Sequence, residues 1–183
     1  MSMSLRRLLL ILSIVAIAAV RGAAADAPAI KITEDKDRLD IAIDGKPFTT
    51  YRFAPTADDP EWHRPYFFPV LSADGVQLTA DRARETVNDQ NREHPWHRSV
   101  WVGQGDINGV DHRTHPTTGK KLQRHVKFDE IAADTFIEEL AWDGKEDGKP
   151  VLTEVRTVMR PSSPSFTLSP IACAALTNRF KKT

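Results

Sequence analysis

Apolar and polar side chains alternate with a period of two through most of the chain. In "RLDIAIDGKPFTTYRF", Leu39, Ile41 and Ile43 alternate with Asp40, Ala42 and Asp44. Successive side chains of an extended strand point to opposite faces, so this run predicts a strand with one buried face. Asp44-Gly45 interrupts it with two residues that tolerate left-handed backbone. The threonine- and aromatic-rich run that follows predicts an antiparallel partner strand. "YFFPVLSADGVQLT" repeats the device at Asp74-Gly75, and "TFIEELAW" and "VLTEVRTVMR" flank a charged loop carrying Gly144 and Gly148. The pattern is that of an antiparallel meander.

No window of comparable length holds a helical period. "ADRARETVNDQNRE" carries charge on every side, and its few apolar residues form no stripe, so it reads as a long excursion between strands. The fold class expected is therefore all-β, an antiparallel β-sandwich rather than a closed barrel. After Arg160 the text changes to "PSSPSFTLSPIACAALTNRFKKT", with three prolines and four serines in its first ten residues. Proline cannot donate to a central ladder, so the sheet is expected to end near Met159 and residues 161–183 to be a divergent, disordered tail.

The amino terminus carries a different signal. Arg6 and Arg7 precede an apolar run, Leu8 to Val20, with Ser13 its one polar residue, and the small residues of "RGAAAD" follow. That order predicts a secretory signal peptide, residues 1–25, cleaved after Ala25. The run is shorter than the roughly 20 apolar residues that span a bilayer, so no stable membrane span is expected after cleavage. Removal of Arg6, Arg7 and Arg21 leaves 22 of the 25 basic side chains against 25 acidic ones. Such a balance gives no footprint for nucleic acid. Cys173 is the single cysteine, so an exported chain of this kind rests on its core and not on disulfides. Residues 26–160 then form one domain.

Candidate chemistry concentrates in "EHPWHRSVWVGQGDINGVDHRTH", which holds four of the six histidines and two of the four tryptophans. Read as a strand, "HRSVWVG" projects His97, Ser99 and Trp101 from one face and Arg98, Val100 and Val102 from the other. An indole face suits the C–H face of a pyranose, and imidazole, carboxylate and guanidinium groups suit its hydroxyls. The glycines of "GQGDINGVD" read as tight turns, with Asp106, Asn108 and Asp111 available for turn hydrogen bonds. His94 and His97 are three apart, as are His112 and His115. Pro95 and Pro116 argue against the helix that would place either pair on one face, so no metal and no cofactor are expected.

These residues carry a resemblance. "RPYFFPV", "DGVQLT", "EHPWHRSVW" and "GDINGVD" follow in the order and spacing of the exported bacterial family labelled methane oxygenase PmoA, with its R-P-Y-x-x-P-V, D-G-x-x-L-T, H-P-H-H-R-x-L-W and H-G-D-V-N-G-V-D patterns. The match runs from about Arg38 to Met159. It implies a sandwich similar to galactose mutarotase, whose relatives bind or transform sugars, and further strands beyond Met159 that this truncated chain lacks. Carried over by position, it offers His94 and His97 as catalytic residues and Arg64, Arg98, Trp101, Asp106 and Asn108 as substrate-binding residues. Trp96 and Gln104 stand where the pattern has histidine, which weakens an inherited metal or acid/base role.

The function expected is that of an exported carbohydrate-active or carbohydrate-binding protein, with a sugar pocket on the "HPWHRSVW" segment and His97 as a general acid. A non-catalytic glycan-binding module is the alternative. The family's label adds a metal-dependent oxygenase, which would need ligands such as His94, His97 and Asp106. The expected partner is a carbohydrate.

Overall fold

The structure, a computed structural model, describes residues 28–57, 59, 64–81, 97–113, 122–145, 149–159 and 175–182. Five strands form one sheet in chain order: β1 (Ile30–Glu34), β2 (Arg38–Ile43), β3 (Lys46–Arg52), β4 (Tyr66–Val70) and β5 (Val100–Trp101). Two short strands, β6 (Asp106–Ile107) and β7 (Val110–Asp111), pair as a hairpin. A second sheet runs β8 (Gln123–Ile131), β9 (Thr135–Asp143), β10 (Pro150–Met159) and β11 (Ala175–Lys182), again in chain order. Every pairing between named strands is antiparallel. Among the described residues there is no helix.

The turn chemistry explains the order. Asp44 and Gly45 both take positive φ, 50° and 75°, which gives the two-residue turn whose twist matches the strands it joins, β2 and β3. At the next turn Gly75 alone takes positive φ, 81°, and its N–H donates to the Ser72 carbonyl at 2.9 Å. The chain then returns along β4 through the Leu71–Gln77 bridge, a Leu78 N–H bond to the Val70 carbonyl and a Val70 N–H bond to Thr79 Oγ1. Pro47 and Pro69 lie beside register shifts in the β2–β3 and β3–β4 ladders, where a missing donor does least harm.

The two sheets share one core and make a β-sandwich. Leu39 of β2 and Tyr51 of β3 are fully buried with Phe136 of β9, and Phe53 and Val158 of β10 complete the cluster. Tyr51 lies 4.6 Å from Phe67 and 4.9 Å from Phe136 between ring centroids. Burial of side chains this size contributes about 1.5–3 kcal/mol each, so these few residues carry much of the attraction between the sheets.

One expectation is corrected here. The stretch after Arg160 is not wholly outside the sheet: Ala175–Lys182 pairs with β10 from Leu152↔Lys182 to Met159↔Ala175. The prolines of 161–170 end β10, but the next proline-free run resumes the ladder as an edge strand. The signal peptide, its cleavage site after Ala25 and the "ADRARETVNDQNRE" excursion lie outside the described residues apart from Ala80 and Asp81.

Candidate functional site

Ser99 decides the local geometry of the histidine-rich segment. Its φ of 67° breaks the extended run, so the predicted seven-residue strand reduces to Val100–Trp101, paired with Phe67 and Tyr66 of β4. The expected alternation therefore holds only in part. His97 and Trp101 do come together, ring centroids 6.2 Å apart and nearly perpendicular. The opposite-face set does not form: Arg98 is 1% exposed whereas Val100 is 47% exposed, because the left-handed residue between them turns the chain over.

Around Trp101 the packing is specific. The buried Arg64 guanidinium lies over one face of the indole, 4.2 Å from the ring centroid, and donates to the His112 carbonyl at 2.6 Å. Burial, and then the neighbouring Arg98 charge, push the Arg64 pKa down to about 9. Gly103 allows the indole to lie against the backbone, since a Cβ there would sit 1.8 Å from Trp101 Cζ3. The half-buried indole is thus braced by Arg64 while His97, at its edge, is exposed.

The other candidates from the sequence that the structure describes have structural roles. Arg98 is enclosed by carboxylates, its guanidinium bonding both Asp59 oxygens at 2.9 and 3.2 Å and Asp81 at 3.4 Å. Tyr66 donates to Asp59 at 2.9 Å, and burial raises the Tyr66 pKa. Asp106 and Asn108 belong to the β6–β7 turn: the Asp106 carboxylate accepts the Gly109 N–H, and Asn108 and Gly109 take φ of 53° and 78°. Here the Asn-Gly pair does the work that such pairs do in hairpins. His94 and His115 lie outside the described residues, and among the described residues no three His, Cys, Asp or Glu side chains gather as a metal donor set. Of the ligands that an oxygenase would need, His97 and Asp106 belong to no such set among the described residues, and His94 lies outside them.

His112 is buried and anchors the hairpin to the second sheet. Its Nδ1 faces the Val110 carbonyl at 3.0 Å and its Nε2 faces the Asp143 carbonyl at 2.9 Å. Burial, helped by Arg64, lowers its pKa against the raising effect of those carbonyls.

Between the sheets lies a polar cluster that the sequence reading did not single out. Glu138, fully buried on β9, accepts from Tyr51 Oη and from His125 Nδ1 of β8, the latter at 2.7 Å. Arg156 of β10 donates to Tyr51 Oη at 2.8 Å and to both oxygens of Glu154 at 2.8 and 3.1 Å; Trp142 Nε1 donates to Glu154 at 2.8 Å. Gln123 reaches from β8 to the Val102 carbonyl at 2.8 Å, tying the cluster to the Trp101 segment. Burial pushes the Tyr51 pKa well up, and Arg156 is held charged by the anionic groups around it despite its burial. One signal could have found the cluster: Glu138 shares strand parity with Phe136, Leu140 and Trp142, a lone carboxylate on an apolar face.

His97 and His125 differ in what they can do. Among the described residues no carboxylate bonds His97, whereas His125 has a fixed one. No curated protein and no solved structure matches the chain. Residues 38–170, which hold both the Trp101 segment and the buried cluster, match the model of a family described as "Family of unknown function (DUF6807)", and the chain belongs to that family.

Proposed function

We propose that this protein is an exported carbohydrate-binding protein that engages a neutral sugar at the His97–Trp101 edge of the sandwich. The observation that carries the reading is the braced indole: Trp101 is half-buried, held on one face by Arg64 at 4.2 Å, with exposed His97 beside it. A rigid indole presents apolar surface to a pyranose C–H face at little entropic cost, and the imidazole supplies a hydrogen bond to a hydroxyl. Arg64 acts as the brace and not as a direct ligand, since its guanidinium is enclosed. Arg98 and Asp106 leave the binding set because their partners lie within the fold, and Asn108 because its left-handed backbone builds the β6–β7 turn. Export is supported by the charged, apolar and small-residue order of residues 1–25, and the resemblance to the PmoA-labelled family supports both parts of the reading.

A glycan array probed with the purified chain tests it. Trp101→Ala should abolish retention of the glycans bound, and His97→Ala should weaken it about fivefold, the worth of one hydrogen bond of about 1 kcal/mol. Binding that survives Trp101→Ala, or an array that retains nothing, overturns the reading.

A further inference from the structure

The buried cluster contains one imidazole that is oriented but not consumed. His125 Nδ1 lies 2.7 Å from Glu138, so a carboxylate at that position holds the ring proton on Nδ1 and leaves the lone pair on Nε2. Glu138 cannot move away, being fully buried and bonded also by Tyr51, which in turn accepts from Arg156 at 2.8 Å. His125 Nε2 has no partner among the described residues and is not among their buried unsatisfied atoms. The side chain is 21% exposed, so part of the ring meets solvent while Nδ1 is held against the buried Glu138. Phe53 and Phe128 flank it, with centroids 4.7 and 4.5 Å from the imidazole.

We propose that His125 and Glu138 form a hydrolytic site, a general-base dyad for neutral esters carrying an apolar acyl or aryl group. The two phenyl rings supply an apolar wall for that group, and with His125 neutral the two carboxylates of the cluster, Glu138 and Glu154, outnumber its one guanidinium, Arg156, which disfavours an anionic substrate. Nε2 takes a proton from water as the oxygen attacks the ester carbonyl. The tetrahedral intermediate then expels the alcohol, which takes the proton back from Nε2, so acid and alcohol leave and the dyad is restored. Glu138 is a positioning residue that keeps the tautomer and meets the imidazolium charge as it forms. The proposal stands apart from sugar binding, because it uses different residues and a different ligand.

The test uses p-nitrophenyl acetate and p-nitrophenyl butyrate with the full chain. Wild-type protein should release p-nitrophenolate above the buffer rate, faster with the butyrate. His125→Gln should reduce the protein-dependent kcat/KM roughly 100-fold, the usual worth of a positioned base. Glu138→Gln should reduce it comparably, since its amide can offer an N–H to Nδ1 and drive the ring proton to Nε2. Lys127→Gln, on the exposed side of the same strand, should change nothing. A measurement on the wild type needs no variant to fold: histidine ¹⁵N shifts should place the His125 proton on Nδ1. No ester turnover, turnover that survives His125→Gln in a folded variant, or a ring proton found on Nε2 each overturns the proposal.

Discussion

Arg98→Met separates a structural guanidinium from a ligand-binding one. The side chain is 1% exposed and pairs with both Asp59 and Asp81, which are 3% and 0% exposed. The substitution removes the guanidinium that the two carboxylates share, and Asp59 retains only the Tyr66 hydroxyl from this group. Breaking a buried ion pair by removing one partner costs about 3–5 kcal/mol, most of it the uncompensated charge that remains. At roughly 2–4 °C per kcal/mol for a domain of this size, the melting temperature should fall by about 10 °C. Urea unfolding followed by tryptophan fluorescence measures the loss. Adding Asp59→Asn and Asp81→Asn to Arg98→Met should recover part of it, because the stranded charges are gone. A stability within about 1 kcal/mol of wild type together with lost glycan binding would refute the reasoning and return Arg98 to the ligand.

Two further outcomes follow from single contacts. Gly103→Ala should displace the Trp101 indole from the backbone, costing about 1–3 kcal/mol in urea unfolding and shifting the tryptophan emission, because nothing short of moving the ring accommodates a Cβ 1.8 Å from Cζ3. His112 is held below its ordinary value of 6.5, so the unfolded chain binds its proton first. The stability it contributes is present above pH 6.5 and is lost as the pH falls through the lower folded value. The stability difference between wild type and His112→Gln should therefore shrink between pH 7.5 and pH 5, and a difference that grows would contradict the assignment.

Strand positions were legible where side-chain period and turn residues agree. Leu39 and Ile41 enter the core on the parity their alternation predicts, and Asp44-Gly45 turns the chain where those residues allow positive φ. Legibility failed where the interior is polar. In "VLTEVRTVM" the apolar residues Val151 and Val155 suggest one inner face, yet Glu154, Arg156 and Val158 are the buried set. Besides the Glu154–Arg156 pair itself, partners far along the chain, such as Tyr51 at a separation of 105 from Arg156, make that parity favourable. The same limit applies to the site. The closeness of His97 and Trp101 follows from local spacing, but the burial of Arg98 depends on a left-handed serine, which no local propensity announces.

Both sheets are assembled from strands adjacent in sequence, which has a kinetic meaning. Each sheet can zip up strand by strand, with short turns at β1–β2, β2–β3 and β8–β9 and long loops to close at β4–β5 and β10–β11, before one sheet docks on the other. Apolar faces alone would accept that docking slipped by a residue pair, exchanging one leucine or phenylalanine contact for another. Tyr51, Glu138 and Arg156 accept it in one alignment, since any slip strands a buried charge. The polar interior thus acts as a keyway, admitting the correct mating of two otherwise greasy surfaces and rejecting its near neighbours.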